Sequence, residues 1–155
     1  MSKPAPKAYL AVIGGGRVAP GVAAMACEVG REIARQGGIL LCGGLGGVMA
    51  AAARGVQEAG GISIGILPGP DRQAANPFLT YSIVTDLGHA RNVLLAHSAD
   101  ALIAVDGSYG TVSEAAIALK LGKAVITLEV DWELPGLRPA RSPQEAVALA
   151  LAAIS

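Results

Sequence analysis

Residues 8–16 read Ala8-Tyr-Leu-Ala-Val-Ile-Gly-Gly-Gly16, a short run of apolar residues that ends in three glycines. A similar combination returns at Ile39-Leu-Leu-Cys-Gly-Gly44 and at Ala101-Leu-Ile-Ala-Val-Asp-Gly107. Runs that are apolar throughout, without alternation, are typical of strands buried on both faces of a parallel sheet. Because amphipathic stretches separate these runs, the pattern favours an α/β fold.

The whole pattern predicts a three-layer α/β domain with a mainly parallel sheet of about six strands. It shows no internal repeat and no second domain, so we expect a single domain over residues 1–155. Residues 68–78 are rich in proline and are predicted to form a long irregular loop. Strands are predicted at residues 8–13, 39–42, 62–67, 81–84, 101–105 and 124–128. Helices are predicted at residues 20–36, 46–59, 89–96, about 112–121, and after Ser142.

The charge balance excludes some classes of partner and points to another. Lys plus Arg and Asp plus Glu both number 12, so neither a nucleic-acid footprint nor a membrane-binding basic patch is expected. Only 15% of residues are charged and 52% are hydrophobic, whereas an ordinary soluble domain has roughly 25% charged residues. The surplus apolar surface predicts a homodimer or a higher homo-oligomer. The alternative is a set of alanine-rich helices with mildly apolar outer faces.

The apolar stretches and the first residues of the sequence bear on where the protein is located. The longest apolar stretch, residues 146–154, is too short to span a bilayer, and Met1 to Lys7 lack the features of a secretory leader, so we expect a cytoplasmic protein.

Cys27 and Cys42 have no Cys-x-x-Cys spacing, which argues against a disulfide scaffold or a zinc site. His89 and His97 lack a third ligand nearby, so no metal is expected. No lysine follows a glycine-lined strand end, so we expect no pyridoxal or other resident cofactor.

Glycines follow the first, second and fifth predicted strands, where ligands bind in open parallel sheets. A glycine turn before a helix lets an anion approach the free N–H groups and the positive end of the helix dipole. The three turns together therefore predict a phosphate-bearing ligand. The alternative is that the glycines only form tight turns with positive φ. Neither the dinucleotide fingerprint G-x-G-x-x-G nor a Walker A motif is present, which disfavours the commonest binding modes of NAD and ATP.

Three segments resemble motifs of the Lonely Guy (LOG) proteins, which belong to the SLOG superfamily. Gly107-Ser-Tyr-Gly-Thr-Val-Ser-Glu114 resembles the family motif P-G-G-x-G-T-x-x-E. Cys42-Gly-Gly-Leu-Gly-Gly-Val-Met49 is similar to G-G-G-x-x-G-L-M, and Gly88-His-Ala-Arg-Asn92 stands where the family has M-x-x-R-K. The resemblance covers about residues 8–128. The short length and the Val-Asp-Gly-Ser variant look most like a small branch that includes the molybdenum cofactor carrier proteins.

The resemblance implies a Rossmann-like fold, an oligomer and one of two functions. LOG enzymes are phosphoribohydrolases, which cleave the N-glycosidic bond of a nucleoside 5′-monophosphate into a base and ribose 5-phosphate. Arg91 and Glu114 match their catalytic arginine and glutamate, and Gly110 and Thr111 match their phosphate-binding turn. Such a carboxylate can stabilise an oxocarbenium-like centre or activate water. The other function is that of a non-catalytic carrier for a molybdopterin-type or nucleotide-like ligand.

Two departures from the LOG motifs reduce the positive charge expected at the site. Asp106-Gly107-Ser108 replaces Pro-Gly-Gly, and Asn92 replaces the lysine after the arginine. An Asp106 carboxylate that faces the site would repel a phosphate, although aspartate is also a common turn residue. Glu114 is expected in the first turn of its helix. Besides Arg91 and Glu114, the residues predicted to bind ligand are Gly14, Gly15, Gly16, Arg17, Gly43, Gly44, Gly46, Gly47, Met49, Asn92, Asp106, Gly107, Ser108, Tyr109, Gly110 and Thr111.

Overall fold

The computed structural model of the chain describes residues 7–154. Residues 1–6, which entered the expectation about a leader, lie outside the described residues. The strands are β1 (Tyr9–Gly14), β2 (Ile39–Cys42), β3 (Ile62–Leu67), β4 (Tyr81–Val84), β5 (Ala101–Val105), β6 (Ala124–Leu128) and β7 (Arg138–Pro139). The helices are α1 (Pro20–Arg35), α2 (Val48–Glu58), α3 (Arg91–Ser98), α4 (Tyr109–Lys120) and α5 (Pro143–Ile154). Short 3₁₀ turns cover Arg72–Ala74 and Gly88–Ala90.

The strands form one parallel sheet in the order β4-β3-β2-β1-β5-β6-β7. This confirms the predicted parallel α/β fold. The sheet has a seventh strand that the sequence pattern did not indicate. That strand, β7, contains only Arg138 and Pro139, so it has no apolar run, and its proline is tolerated because the strand lies at an edge of the sheet.

The strand order reverses at the centre of the sheet and so determines where a ligand can bind. From β1 the chain builds outward through β2, β3 and β4 on one side, then returns to place β5 beside β1 on the other. Loops that leave the carboxyl ends of β1 and β5 therefore diverge and leave a crevice between them. The turns after β1 and β5 are two of the three glycine turns identified in the sequence.

Helices cover both faces of the sheet, and the side chains of β1 show the two layers. Leu10 and Val12 pack in one hydrophobic cluster with residues of α1, α2 and α5. Ala11 and Ile13 pack in a second cluster with residues of α3 and α4. Successive residues of a strand point to opposite faces, so each face of the central strand needs its own apolar partners. This explains why the strands are apolar throughout.

Helices α1 and α2 approach each other so closely that two glycines are required between them. A Cβ atom on Gly30 would overlap the carbonyl oxygen of Ala52, and one on Gly55 would overlap the carbonyl oxygen of Cys27. Because these atoms belong to the backbone, they cannot move aside as a flexible side chain would. The contact holds the start of α2 against the end of β1, where the candidate site lies.

We expect Gly55→Ala to lower the free energy of unfolding by roughly 2–3 kcal/mol, because the new methyl group forces the two helices apart. Urea denaturation followed by circular dichroism measures the change. Gly21→Ala is the matched control. Gly21 lies near the start of α1 with open space around it, so alanine there should raise stability by about 0.5 kcal/mol. Equal effects of the two substitutions would contradict the close helix contact.

Candidate functional site

The first and second glycine turns touch each other through their backbones. The backbone N–H of Val48, the first residue of α2, donates a hydrogen bond of 3.0 Å to the carbonyl oxygen of Gly15. Gly47 has a φ of 62°, and a Cβ atom there would overlap the Gly15 carbonyl oxygen. One donor at the start of α2 is therefore occupied by the turn after β1. The turn after β2 therefore holds the turn after β1 in place through this hydrogen bond, whether or not it also contacts a ligand.

The turn after β5 leaves the start of α4 open. Ser108 precedes the helix and its side chain makes no capping hydrogen bond. Gly107 has a φ of 98°, and a Cβ atom there would overlap Oγ1 of Thr111, so the turn closes tightly over the first residues of the helix. The first N–H groups of a helix have no acceptor within it. Those of α4 face the crevice and are suited to an anion.

A cavity of about 200 Å³ lies at the carboxyl edge of the sheet. Its walls come from the turns after β1 and β5, from the start of α3 and from α4. The cavity brings together ten of the predicted residues: Gly14, Gly15, Gly16, Met49, Arg91, Asn92, Ser108, Gly110, Thr111 and Glu114. The other predicted residues do not line it: Arg17, Gly43, Gly44, Gly46, Gly47, Asp106, Gly107 and Tyr109.

His89 also lines the cavity, although the sequence did not single it out as a ligand-binding residue. It lies in the 3₁₀ turn Gly88–Ala90, two residues before Arg91. A helix was predicted from residue 89, but α3 begins at Arg91, and the turn directs His89 toward the site. Its position inside the Gly88-to-Asn92 segment that resembles the LOG motif is the signal that could have identified it.

Arg91 and Glu114, called here the Arg91–Glu114 pair, are two buried side chains that both line the cavity and act on each other electrostatically. Their exposed fractions are 9% for Arg91 and 7% for Glu114. Burial raises the pKa of Glu114 to about 7, and the positive charge of Arg91 opposes that rise. Burial lowers the pKa of Arg91, which Glu114 and Cys42 oppose. An arginine remains protonated in proteins, so a half-neutralised Glu114 leaves net positive charge at the site near neutral pH.

The position of Arg91 is restricted by the space at Gly43, and hydrogen bonds from Lys123 hold the far end of its helix. A Cβ atom on Gly43 would overlap Nη1 of Arg91, so the guanidinium occupies space that only a glycine leaves free. At the other end of α3, the Lys123 ammonium group donates hydrogen bonds of 2.6–2.7 Å to the carbonyl oxygens of Ala96, His97 and Ala99. Nε of Arg91 is buried and has no hydrogen-bond partner in the described residues. A ligand or water at this atom would complete its hydrogen bonding.

Three further residues of the motif segments, Cys42, Asn92 and Asp106, differ in burial and backbone conformation. Cys42 is fully buried, and burial raises the pKa of its thiol to about 11, so the thiol stays protonated at neutral pH. Asn92, which replaces the LOG lysine, is also buried. Asp106 has a φ of 55°, a conformation that aspartate and asparagine adopt more readily than most residues. This conformation fits the turn-forming alternative for Asp106.

The position of Glu114 in its helix corrects one expectation. Helix α4 begins at Tyr109, earlier than predicted, and its first turn contains no acidic residue. Glu114 therefore lies in the second turn, where the attraction between its carboxylate and the helix dipole is weak. Its burial beside Arg91 needs another explanation than helix stabilisation.

A larger cavity, of about 660 Å³, is lined by residues of the segment 127–140. It contains none of the predicted site residues. Its wall includes the carboxylates of Glu129 and Glu133 and no basic side chain, so it is poorly suited to a phosphate. Trp132, the single tryptophan of the chain, also lines this cavity. The smaller cavity, which holds the start of α4, Arg91 and ten of the predicted residues, is the candidate site.

Residues 7–154 contain neither a cluster of metal ligands nor a helix that could span a membrane. Among residues 7–154, no three side chains of His, Cys, Asp or Glu come together as a metal-binding group. Within the same residues, every helix is too short or too polar to cross a lipid bilayer.

A model of a known protein family matches nearly the whole chain. A family model described as the SLOG cluster4 family matches residues 7–151. The chain belongs to the SLOG cluster4 family. This confirms the resemblance to the LOG-related superfamily.

Two solved structures resemble this SLOG cluster4 protein over nearly its whole length. One is the molybdenum cofactor binding protein from the phototrophic bacterium Rippkaea orientalis, with 35% identity, a TM-score of 0.92, and coverage of 98% of this chain and 100% of that one. The other is the molybdenum cofactor carrier protein from Chlamydomonas reinhardtii, with 36% identity, a TM-score of 0.88, and coverage of 96% and 99%.

Sequence relatives include an archaeal and a plant protein. An uncharacterized protein from Archaeoglobus fulgidus is 47% identical over 138 residues, which are 89% of this chain and 91% of the relative. A protein from Oryza sativa subsp. japonica, named as probable cytokinin riboside 5′-monophosphate phosphoribohydrolase LOG4, is 30% identical over 99 residues. That match covers 61% of this chain and 43% of the rice protein, less than half of its length.

We expect the stability of the SLOG cluster4 protein to depend on pH through Glu114. Unfolded Glu114 ionises near pH 4.5, whereas the folded residue holds its proton until about pH 7. The wild type should therefore lose about 3 kcal/mol of unfolding free energy relative to Glu114→Gln as the pH rises through both pKa values, and the loss should level off about one pH unit above the folded pKa. Urea denaturation of both proteins between pH 4.5 and 8.5 measures the difference. A difference that is constant across this range would contradict the raised pKa of Glu114.

Proposed function

We propose that this SLOG cluster4 protein binds a phosphate-bearing ligand, nucleotide-like or molybdopterin-like, and acts as its carrier. The observation that carries the proposal is the cavity where the start of α4 and the Arg91 guanidinium converge. Helix N–H groups and an arginine are the donors that proteins use most readily for phosphate. The Arg91 guanidinium is held at this place by the space that Gly43 leaves.

Several observations favour a ligand carrier over an enzyme. The likeness to molybdenum cofactor binding and carrier proteins extends over 96–98% of this chain, whereas the rice LOG4 match covers 61%. Asn92 stands where LOG enzymes have a lysine, and Asp106-Gly107-Ser108 replaces their Pro-Gly-Gly. The change at Asn92, which lines the cavity, removes one positive charge that could stabilise a leaving group or a transition state. A carrier needs only to hold and release its ligand intact.

The second candidate is a phosphoribohydrolase, and the Arg91–Glu114 pair is the observation that favours it. A buried glutamate whose pKa lies near 7 can give or take a proton at neutral pH. Perturbed carboxyl groups in clefts are common at catalytic sites. In this function, Glu114 would act on the N-glycosidic bond while Arg91 pairs with Glu114 or with the phosphate.

We also propose that the chain works as one ligand-binding domain, as a homo-oligomer and in the cytoplasm. The low proportion of charged residues supports the oligomer. None of these three proposals depends on whether the ligand is carried or cleaved.

We expect phosphate to supply much of the binding energy. Calorimetric titration should show that nucleoside monophosphates, or a pterin bearing a phosphate, bind at least about tenfold more tightly than the same compounds without phosphate. Trp132 lines the other cavity, so its fluorescence should not change with saturation. Equal affinities with and without phosphate would contradict a phosphate site at α4. A Trp132 signal that follows the same binding curve would move the ligand to the larger cavity.

We expect the carrier to return its ligand unchanged. After incubation with a panel of nucleoside monophosphates, chromatography should detect no release of free base above a blank without protein. The matched variant is Glu114→Gln, which keeps the size of the side chain and removes its charge. Base release by the wild type that falls at least about 100-fold in Glu114→Gln would overturn the carrier and support the hydrolase.

A further inference from the structure

Glu114 is an acidic side chain that the candidate cavity encloses without a hydrogen-bond partner. The residue is 7% exposed and lines the cavity of about 200 Å³. Within the described residues its carboxylate accepts no hydrogen bond and forms no ion pair, although the charge of Arg91 acts on it. A buried polar group normally has a hydrogen-bond partner. The unpartnered acceptor in this cavity therefore points to a hydrogen that arrives with a ligand.

Glu114 lies on the face of α4 that an anion at the start of the helix would contact. Gly110 and Thr111 also line the cavity, and they precede Glu114 by four and three residues. Residues at these spacings are neighbours on one face of a helix, about 5–6 Å apart. An anion bound at the first N–H groups of α4 is therefore within about one helical turn of the Glu114 carboxylate.

The side chains that line the cavity can balance one negative group and not two. Among the described residues of its wall, Arg91 carries a permanent positive charge, Glu114 is the acidic residue, and His89 is the other titratable side chain. Asn92, beside Arg91, is neutral. An ionised Glu114 and a ligand oxyanion would thus compete for a single guanidinium and repel each other.

The elements around Glu114 offer no other charge that could relieve this repulsion. In the structure as described, strands β1, β5 and β6 pack against α4 and contain no charged residue. The buried Cys42 thiol of β2 stays protonated at neutral pH. The other titratable residues of α3 and α4 are exposed or lie in the last turns of these helices: Tyr109, His97 and Lys120.

We propose that the cavity binds a phosphate group together with one proton, which is held between the Glu114 carboxylate and a ligand oxygen. The inference rests on the proposed phosphate-bearing ligand and adds the charge state in which that ligand is held. The proton comes from solvent when the ligand binds and returns to solvent when the ligand leaves. With the proton in place, the two acidic groups share a hydrogen bond, as paired carboxyl groups do, and Arg91 balances the remaining charge.

The burial of Glu114 brings this coupling into the neutral pH range. Burial raises the pKa of Glu114 to about 7, so below that pH the empty cavity already holds the proton. Above that pH, binding must take a proton from solvent, and each further pH unit weakens binding by up to about tenfold. A carrier of this kind holds its ligand in slightly acidic solution and releases it as the pH rises.

The test measures the affinity for adenosine 5′-monophosphate (AMP) between pH 7.5 and 9, where the phosphate of this probe is a dianion. Calorimetric titration of the wild type should show binding weakened about 20-fold across this range. Glu114→Gln removes the charge, so its affinity should change less than about twofold and should exceed that of the wild type at least about tenfold at pH 9. Glu133→Gln is the matched control. Glu133 is exposed and lines the larger cavity, so this variant should follow the wild type.

Titrations at pH 8 in two buffers of different ionisation enthalpy count the protons directly. The wild type and His89→Asn should each take up about one proton for every AMP bound, and the wild-type value tests the proposal even if Glu114→Gln does not fold. An affinity that does not depend on pH, or an uptake that persists in Glu114→Gln, would overturn the proposal and leave the phosphate site in place. Loss of the uptake in His89→Asn would assign the proton to His89 and also overturn it. AMP that fails to bind even at pH 6 would contradict the phosphate site itself, and this inference with it.

Discussion

The hydrogen bond from the Val48 N–H to the Gly15 carbonyl oxygen joins the carboxyl edge of the sheet into one unit. It brings the end of β1 against the start of α2, and this is sterically allowed only because Gly14 and Gly47 have no side chains. A Cβ atom on Gly14 would lie 2.7 Å from Cγ2 of Val48, and one on Gly47 would overlap Gly15. With these turns fixed, Gly43 leaves the space that the Arg91 guanidinium occupies. The glycines thus leave the space in which the charged pair lies.

The Arg91–Glu114 pair is costly to bury and does little for the stability of the fold. Removing two charges from water is expensive, and apolar residues of similar volume are often as stable or more so. The raised pKa of Glu114 shows that burial outweighs the attraction of Arg91. Lys123 adds three hydrogen bonds that hold α3, and so Arg91, in place. A structure that positions a destabilising pair this firmly is consistent with a pair that contacts a ligand.

The sequence predicted the sheet well because its strands are apolar on both faces and end in glycine. It could not predict β7, since Arg138-Pro139 has neither an apolar run nor alternation. The start of α4 was placed too late because glycine and tyrosine at residues 107–110 indicate a turn as readily as a helix. Glu114 consequently lies deeper in its helix than expected. For the site, the motifs identified Arg91 and Glu114, whereas His89 depends on the 3₁₀ turn before α3, which local sequence does not specify.

The burial of Cys42 has a consequence for the chemistry of the two thiols. With a pKa of about 11, only about one Cys42 thiol in ten thousand is ionised at neutral pH, and no path from solvent reaches its sulfur. Cys27 is half-buried on α1. Alkylating reagents and mild oxidants will therefore mark Cys27 and leave the thiol beneath the charged pair unmodified. The chain carries its own attachment point for a probe on α1, outside the residues that line the candidate cavity.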